Sequence, residues 1–295
     1  MRHIAEFCDK NSISYQSNVL LKNISTFKIG GIAPVIVSPD CSEKVSCLVS
    51  FLKDKNVPFK MIGNCSNILF PDETLDYVLV KTDKLQKLEF ENDRLICGAG
   101  IILAKAASVA LKNEFSGMER LFGIPGTVGG AVTMNAGAYG SEMSCIVTET
   151  EYVDLNGDIK TVSGSDHDFG YRHSCFFDSG FVTKTILQLS KGSYSEIRSV
   201  MDECTAKRVS SQPLDLPSAG SVFKRPEGYF AGKLIQDSGL KGYSVGGAQV
   251  SEKHAGFIVN KGNATSADVK ELIRIIQTTV AEKFGVMLET EIKFF

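Results

Sequence analysis

The sequence has no tryptophan, only four histidines and no surplus of either charge: 32 lysines and arginines stand against 34 aspartates and glutamates, for a formal net charge of −2. Without a basic excess it lacks the electrostatic footprint of a protein held to nucleic acid by phosphate contacts, although a local patch can still take a phosphorylated small molecule. No run approaches the ~18 consecutive apolar residues of a membrane span. Residues 1–10 interleave Arg2, His3, Glu6, Asp9 and Lys10 with short apolar stretches and lack the apolar segment of an export signal, so a cytoplasmic protein is expected. The eight cysteines, Cys8, Cys41, Cys47, Cys65, Cys97, Cys145, Cys175 and Cys204, form no C-x-x-C pair and no Cys/His ligand spacing. They read as reduced thiols and mostly as small core fillers, with no metal site expected. No internal repeat is visible, which argues against a solenoid.

What is present is an ordinary globular composition, 43% apolar over 295 residues, enough for two or three domains. Apolar spacing predicts helices over residues 41–55 (capped by Asp40), 102–111, 194–209 and 267–284. Strands are predicted at 59–62, 77–80, 94–97, 257–260 and 288–294. A hairpin is predicted where 148–154 and 159–162 flank Asn156-Gly157. Residues 211–217 read as an extended connection, with a boundary near 208.

Between Gly117 and Gly140 the composition shifts to MERLFGIPGTVGGAVTMNAGAYG, with glycines at 117, 123, 126, 129, 130, 137 and 140. Such density suits neither a helix nor a central strand throughout. A Rossmann dinucleotide site is the first reading, since Leu95-Ile96-Cys97-Gly98-Ala99-Gly100 runs into a helix; its third glycine or alanine would fall at Leu103, and no acidic residue closes the second strand. A Walker loop is excluded because the lysine is missing. Two readings remain: backbone amides open to a pyrophosphate, or a structural glycine loop. Ser66, Asn67, Thr127 and Asn135 supply polar side chains suited to a large polar ligand.

Several blocks in one order carry a more detailed signal: Gly63-Asn64-Cys65-Ser66-Asn67, GIPGTVGGAVTMNAGAYG at 123–140, Tyr171-Arg172-His173-Ser174, PSAGSVFKRP at 217–226, AGKLIQDSGLKG at 231–242, GGAQVSEKHAGFIVN at 246–260 and LETEI at 288–292. Together they resemble the UDP-N-acetylenolpyruvoylglucosamine reductase family, flavoenzymes of bacterial cell-wall precursor synthesis. The short interval from Arg172 to Ser221 resembles the family's second class, which lacks a substrate-covering insertion. The family loop reads G-x-G-S-N, and Cys65 stands here at the second glycine.

The resemblance implies an α+β chain: a two-subdomain FAD-binding fold of the vanillyl-alcohol-oxidase type (1–81 and 82–207) and a C-terminal α+β substrate domain (208–295). It implies FAD held by Gly63, Asn64, Cys65, Ser66, Asn67, Gly123, Ile124, Pro125, Gly126, Thr127, Gly129, Gly130, Asn135, Ala136 and Gly137. NADPH would be the reductant, and a UDP-sugar enolpyruvyl ether, held by Tyr139, Arg225, Lys241 and His254, the substrate. By the same resemblance Ser221 donates the proton, while Arg172 and Glu291 stabilise the substrate carboxylate. NADPH and the sugar nucleotide would use one pocket in turn, in a chain expected to be monomeric. Read without the family, Ser221 is a turn serine after Gly220, Glu291 lies on a solvated strand face beside Lys293, and His254 is a packed histidine. A flavin oxidase acting on another alcohol or sugar, or a non-catalytic flavin-binding module, are the competing functions; the joint presence of Ser221, Arg172 and Glu291 disfavours both.

Overall fold

β-Branched and aliphatic runs at Ile32–Ser38, Phe59–Ile62 and Val78–Lys81 form the parallel part of a four-stranded sheet completed by Ser14–Leu20. The computed structural model describes residues 2–295. They fall into two compact units: residues up to 18, 34–64 and 76–206 make the first, and 19–33, 65–75 and 207–295 the second.

In the first unit Val35, Val37, Val78 and Val80 are buried with Leu48 and Leu52 of the helix Ser42–Asp54. That helix was expected to be capped by Asp40. Cys41 occupies the cap instead, and Asp40 pairs with Lys44 at 3.0 Å. An N-terminal helix, Arg2–Lys10, seats Ile4 and Cys8 in the same cluster. It went unpredicted because one short amphipathic face in a charged segment resembles surface loop. Burial pushes the Cys8 thiol up to about 11 and that of Cys97 to about 12, which makes both inert fillers.

The unit's second sheet is antiparallel, in the order Ile159–Ser163, Val147–Asp154, Gly180–Gln188, Arg94–Gly98 and Leu88–Glu91. Arg94–Gly98 lies antiparallel to both neighbours, which removes the Rossmann reading. Gly98 and Gly100 are explained by packing, since a Cβ on either would run into the carbonyls of Leu85 and Thr82. The Asn156-Gly157 hairpin forms as predicted. The Asp154 carboxylate accepts from the amides of Asn156 and Asp158 and from Lys160 Nζ at 2.6 Å.

In the second unit, Ser218–Ser221, Phe257–Asn260, Ala248–Val250 and Ser244–Val245 form an antiparallel sheet. The helix Ser266–Phe284 packs on it through Leu272, Ile273, Ile276 and Val280. It begins in a Thr265/Asp268 capping box and ends at Gly285 with φ 67°. Phe27, Ile29 and Leu69, distant in sequence, belong to this core. Asn260 ties them in, its Nδ2 donating to the Phe27 carbonyl at 3.2 Å. The predicted strand 288–294 is ladder only at Lys293–Phe294, parallel to Ile68–Leu69. Before it the Val222 carbonyl takes the Glu291 N–H, and Thr290 makes a single bridge with Phe223. Leu288 and Ile292 are buried even though the strand is not continuous.

All eight cysteines are free thiols. Among the described residues no helix is long and apolar enough to cross a membrane, and no three His, Cys, Asp or Glu side chains are grouped to hold a metal.

Candidate active site

In the first unit, Gly63-Asn64 is pressed onto the glycine-rich segment. Asn64 Nδ2 donates to the Pro125 carbonyl at 2.6 Å, and a Cβ on Gly63 would lie 2.5 Å from Thr127 Oγ1. Thr127 caps the short helix Val128–Thr133, its Oγ1 accepting from Gly130 N–H. The amides of Val128 and Gly129 are engaged with the carbonyls of Ile101 and Ala99 at 2.7 and 3.0 Å. Those of Gly126 and Thr127 donate to no protein group among the described residues. The segment thus combines both sequence readings: part of it is structural packing, and the Gly126–Thr127 turn leaves amides for an anionic group. Beside the side-chain-free Gly63, that turn fits the pyrophosphate of FAD.

The two adjacent helical glycines have different reasons. Gly129 is buried, and a Cβ there would sit 2.6 Å from Ala99 Cβ; Gly130 is exposed and would meet nothing closer than Thr127 Oγ1 at 3.5 Å. Gly137-Ala138 then pairs with Ser141-Glu142 in a miniature hairpin whose two turn residues, Tyr139 and Gly140, have φ 54° and 81°. This left-handed pair is the type I′ geometry, and it sets Tyr139 at the hairpin tip, where Arg120 donates to its carbonyl at 2.7 Å. Asn135, expected at the cofactor, is fully buried. Its Nδ2 donates to Glu142 Oε1 and to the Gly170 carbonyl, each at 3.0 Å, and its Oδ1 accepts from Ser144 N–H at 2.9 Å.

Arg172 sits in a two-residue turn closed by reciprocal backbone bonds between Gly170 and His173, at 3.1 and 3.2 Å. Its φ of 56° is left-handed, a conformation costing a non-glycine residue about 1 kcal/mol or more and concentrated at functional sites. The guanidinium lies 5.0 Å from the Tyr171 ring centroid, and Nη2 donates to the Gly137 carbonyl at 3.3 Å.

In the second unit, Cys65 is buried with φ 51°, a left-handed backbone that only a glycine would take without strain. Asn67, a second expected cofactor residue, donates through Nδ2 to the Glu291 carbonyl at 3.2 Å, and its own carbonyl accepts from Lys293 N–H at 2.9 Å. Ser221 ends a strand at a register shift, just after Gly220 at φ 78° and opposite Phe257. The next carbonyl, that of Val222, accepts Glu291 N–H at 2.7 Å, so Ser221 and Glu291 lie on hydrogen-bonded segments.

Three lysines, Lys224, Lys233 and Lys241, follow Ser221 in the same unit. Lys224 pairs with Glu289 at 3.2 Å and Lys233 with Asp237 at 2.6 Å, whereas Lys241 has no ion-pair partner among the described residues. Burial, reinforced by the Lys241 charge, holds His254 below the usual histidine range. Its Nδ1 accepts Gly256 N–H at 3.0 Å, so the neutral ring carries its proton on Nε2. His254 is therefore a packed histidine, edge-on to Phe257, that retains one donor. Arg225 stacks 4.0 Å from the exposed Phe230 ring and donates to the Tyr229 carbonyl. A separate cleft of about 620 Å³ in this unit, lined by Lys22, Lys28, Asp72 and Lys261, contains none of the expected site residues.

Sequence reasoning missed Glu142 and Ser174. Ser174 is fully buried and donates to the Thr133 carbonyl at 2.7 Å. Its place in the Tyr171–Ser174 block was the available signal; Glu142, just beyond the glycine-rich block, carried none.

Residues 33–163 match the FAD binding domain family, and residues 212–295 match the UDP-N-acetylenolpyruvoylglucosamine reductase C-terminal domain. An α+β FAD-binding fold followed by that domain defines a flavin-dependent oxidoreductase. Relatives named UDP-N-acetylenolpyruvoylglucosamine reductase include one from Clostridium novyi, 44% identical over 99% of this chain and 95% of its own length. Another, from Caldanaerobacter subterraneus, is 47% identical over 94% of this chain and 92% of its own. The crystal structure of the UDP-N-acetylenolpyruvylglucosamine reductase from Thermus caldophilus superposes with a TM-score of 0.83 at 34% identity, covering 96% of this chain and 99% of that one. The chain belongs to the UDP-N-acetylenolpyruvoylglucosamine reductase family.

Proposed function

We propose that this chain, using FAD and NADPH, reduces UDP-N-acetylglucosamine enolpyruvate to UDP-N-acetylmuramate for peptidoglycan synthesis, with Ser221, Arg172 and Glu291 as its catalytic residues. FAD, when bound, would supply the hydride chemistry between NADPH and the methylene carbon of the enolpyruvyl group. Ser221 Oγ delivers the proton to the neighbouring carbon. A hydroxyl is a weak acid, so this role needs a strongly basic carbon and a stabilised alkoxide. Arg172 pairs with the substrate carboxylate as electron density moves onto it, and Glu291, by carrying or sharing a proton, hydrogen-bonds the same developing oxyanion. Tyr139, Arg225, Lys241 and the Nε2–H of His254 hold the UDP-sugar, with lysine and arginine suited to its pyrophosphate. FAD lies with residues 1–81 and 82–207, contacting the Gly63–Asn67 and Gly123–Gly130 segments together with Ala136 and Gly137; residues 208–295 bind the substrate. The protein works as a cytoplasmic monomer.

The observation that supports this reading is the 2.7 Å bond from Glu291 N–H to the carbonyl of Val222, next to Ser221, so that Ser221 and Glu291 lie on hydrogen-bonded segments. The test is anaerobic flavin absorbance. Addition of NADPH bleaches the visible band, and addition of the enolpyruvyl sugar restores it. Ser221→Ala should bleach at nearly the normal rate and fail to recover; equal loss of both half-reactions removes Ser221 from its role. A protein that bleaches but never recovers with this sugar acts on another acceptor.

A further inference from the structure

Arg172 is the most conformationally demanding of the proposed catalytic residues, a non-glycine at φ 56° on the tip of a turn of only two residues. Such a turn keeps one conformation only if its base is held. Two side chains hold it, both anchored around the end of the helix Val128–Thr133. On one side the Gly170 carbonyl accepts from Asn135 Nδ2 at 3.0 Å; on the other, Ser174 Oγ donates to the Thr133 carbonyl at 2.7 Å. The second Asn135 N–H goes to Glu142 Oε1, which also accepts from Ser144 Oγ at 2.6 Å, while Ser144 N–H returns to Asn135 Oδ1. The amide can face only one way in this net, because two acceptors meet Nδ2 and a backbone donor meets Oδ1. Glu142 pairs with Gly137, whose carbonyl receives Arg172 Nη2. The same few groups therefore fix both the backbone and the guanidinium of Arg172.

We infer that Asn135 and Glu142 form a positioning pair that holds Arg172 in its working orientation, and that the Asn135 side chain does not serve as a cofactor ligand. This inference rests on the role proposed for Arg172. A buried, fully oriented amide rigidifies what it touches, and a loss of about 1 Å in placement can cost on the order of 10²-fold in rate.

The sharpest probe is Asn135→Asp, which keeps size but turns the two donations toward Glu142 and Gly170 into repulsions. In the FAD-loaded enzyme, Asn135→Asp should slow flavin reoxidation by the enolpyruvyl sugar about 10²-fold, leaving reduction by NADPH and bound FAD nearly unchanged. Arg172→Ala should slow the same half-reaction by at least as much, and Asn135→Asp added to it should cost little more, since both act through one group. Where Asn135→Asp does not fold, Ser174→Ala loosens the other side of the turn and should slow reoxidation about 3- to 10-fold with FAD retained. Loss of FAD, equal slowing of both half-reactions, or full additivity with Arg172→Ala overturns the positioning role. If Arg172→Ala leaves reoxidation at its normal rate, the reading of Arg172 itself fails, whatever Asn135→Asp does.

Discussion

Gly129 and Gly130 offer a controlled experiment, because both lie inside the helix Val128–Thr133 and only one is crowded. Alanine at either position gains about 1 kcal/mol of helix propensity over glycine. At Gly130 nothing opposes this: the added Cβ meets only Thr127 Oγ1 at an ordinary 3.5 Å. At Gly129 the Cβ would stand 2.6 Å from Ala99 Cβ and 3.1 Å from the Ala99 carbonyl oxygen, which already accepts Gly129 N–H. Neither is the movable end of a side chain, so the helix must shift, an overpacking cost of about 1–3 kcal/mol. The propensity gain cancels between the two variants, and the stability difference isolates the clash. At roughly 2–4 °C per kcal/mol for a domain of this size, Gly129→Ala should melt about 2–12 °C below Gly130→Ala when the apoproteins are compared. FAD titration adds a second readout: Gly130→Ala should fold well yet bind FAD more weakly, since its exposed face is proposed to lie against the cofactor. Equal melting temperatures would refute the packing argument, and unchanged FAD affinity in Gly130→Ala would remove that residue from the cofactor contacts.

Other outcomes follow from the same structure. His167 is buried, with Nδ1 on the Gly164 carbonyl and Nε2 on Thr150 Oγ1, and burial lowers its pKa from 6.5 against the smaller opposing effects of Gly164 and Asp166. A depressed pKa means that the unfolded chain binds the proton more readily. The contribution of His167 to stability is therefore complete above about pH 6.5 and is lost as pH falls through the lower folded value. Melting temperatures from pH 7.5 to 5 should fall less steeply in His167→Gln than in the parent, and identical slopes would refute this. Initial rates with NADPH and the enolpyruvyl sugar should give parallel double-reciprocal lines if the two take turns in one pocket; intersecting lines would count against a shared pocket.

Particular residues show how far the sequence could be read. The Asn156-Gly157 turn was legible because its left-handed requirement is local, but the neighbour that excludes a side chain at Gly157 is Ser50 of another helix. The Ser266–Phe284 helix announced itself through its apolar period over 267–284, whereas its Thr265/Asp268 box emerged only from the structure. The final strand was overestimated because alternation over 288–294 reports burial of Leu288 and Ile292, not ladder pairing, and the pairing partner is Ile68–Leu69. Asn67 and Asn135 read on their own as polar side chains suited to a large polar ligand, and the family resemblance implies that they hold the cofactor. Their observed partners are the carbonyls of Glu291, 224 residues away, and Gly170, 35 residues away.

The sequence by itself determined the four longer helices, the Asn156-Gly157 hairpin and the ordered blocks that identify the family, since periodicity and turn chemistry are properties of residues within a few positions of one another. Tertiary structure alone decided that residues 19–33 and 65–75 join the C-terminal core, that a Cβ at Gly129 would meet Ala99, and that Asn135 donates to the Gly170 carbonyl at the base of the Arg172 turn. In each case the deciding quantity is the closeness of groups far apart in the chain. A buried donor or a missing Cβ acquires its meaning from the atom opposite, and only the folded backbone selects that atom.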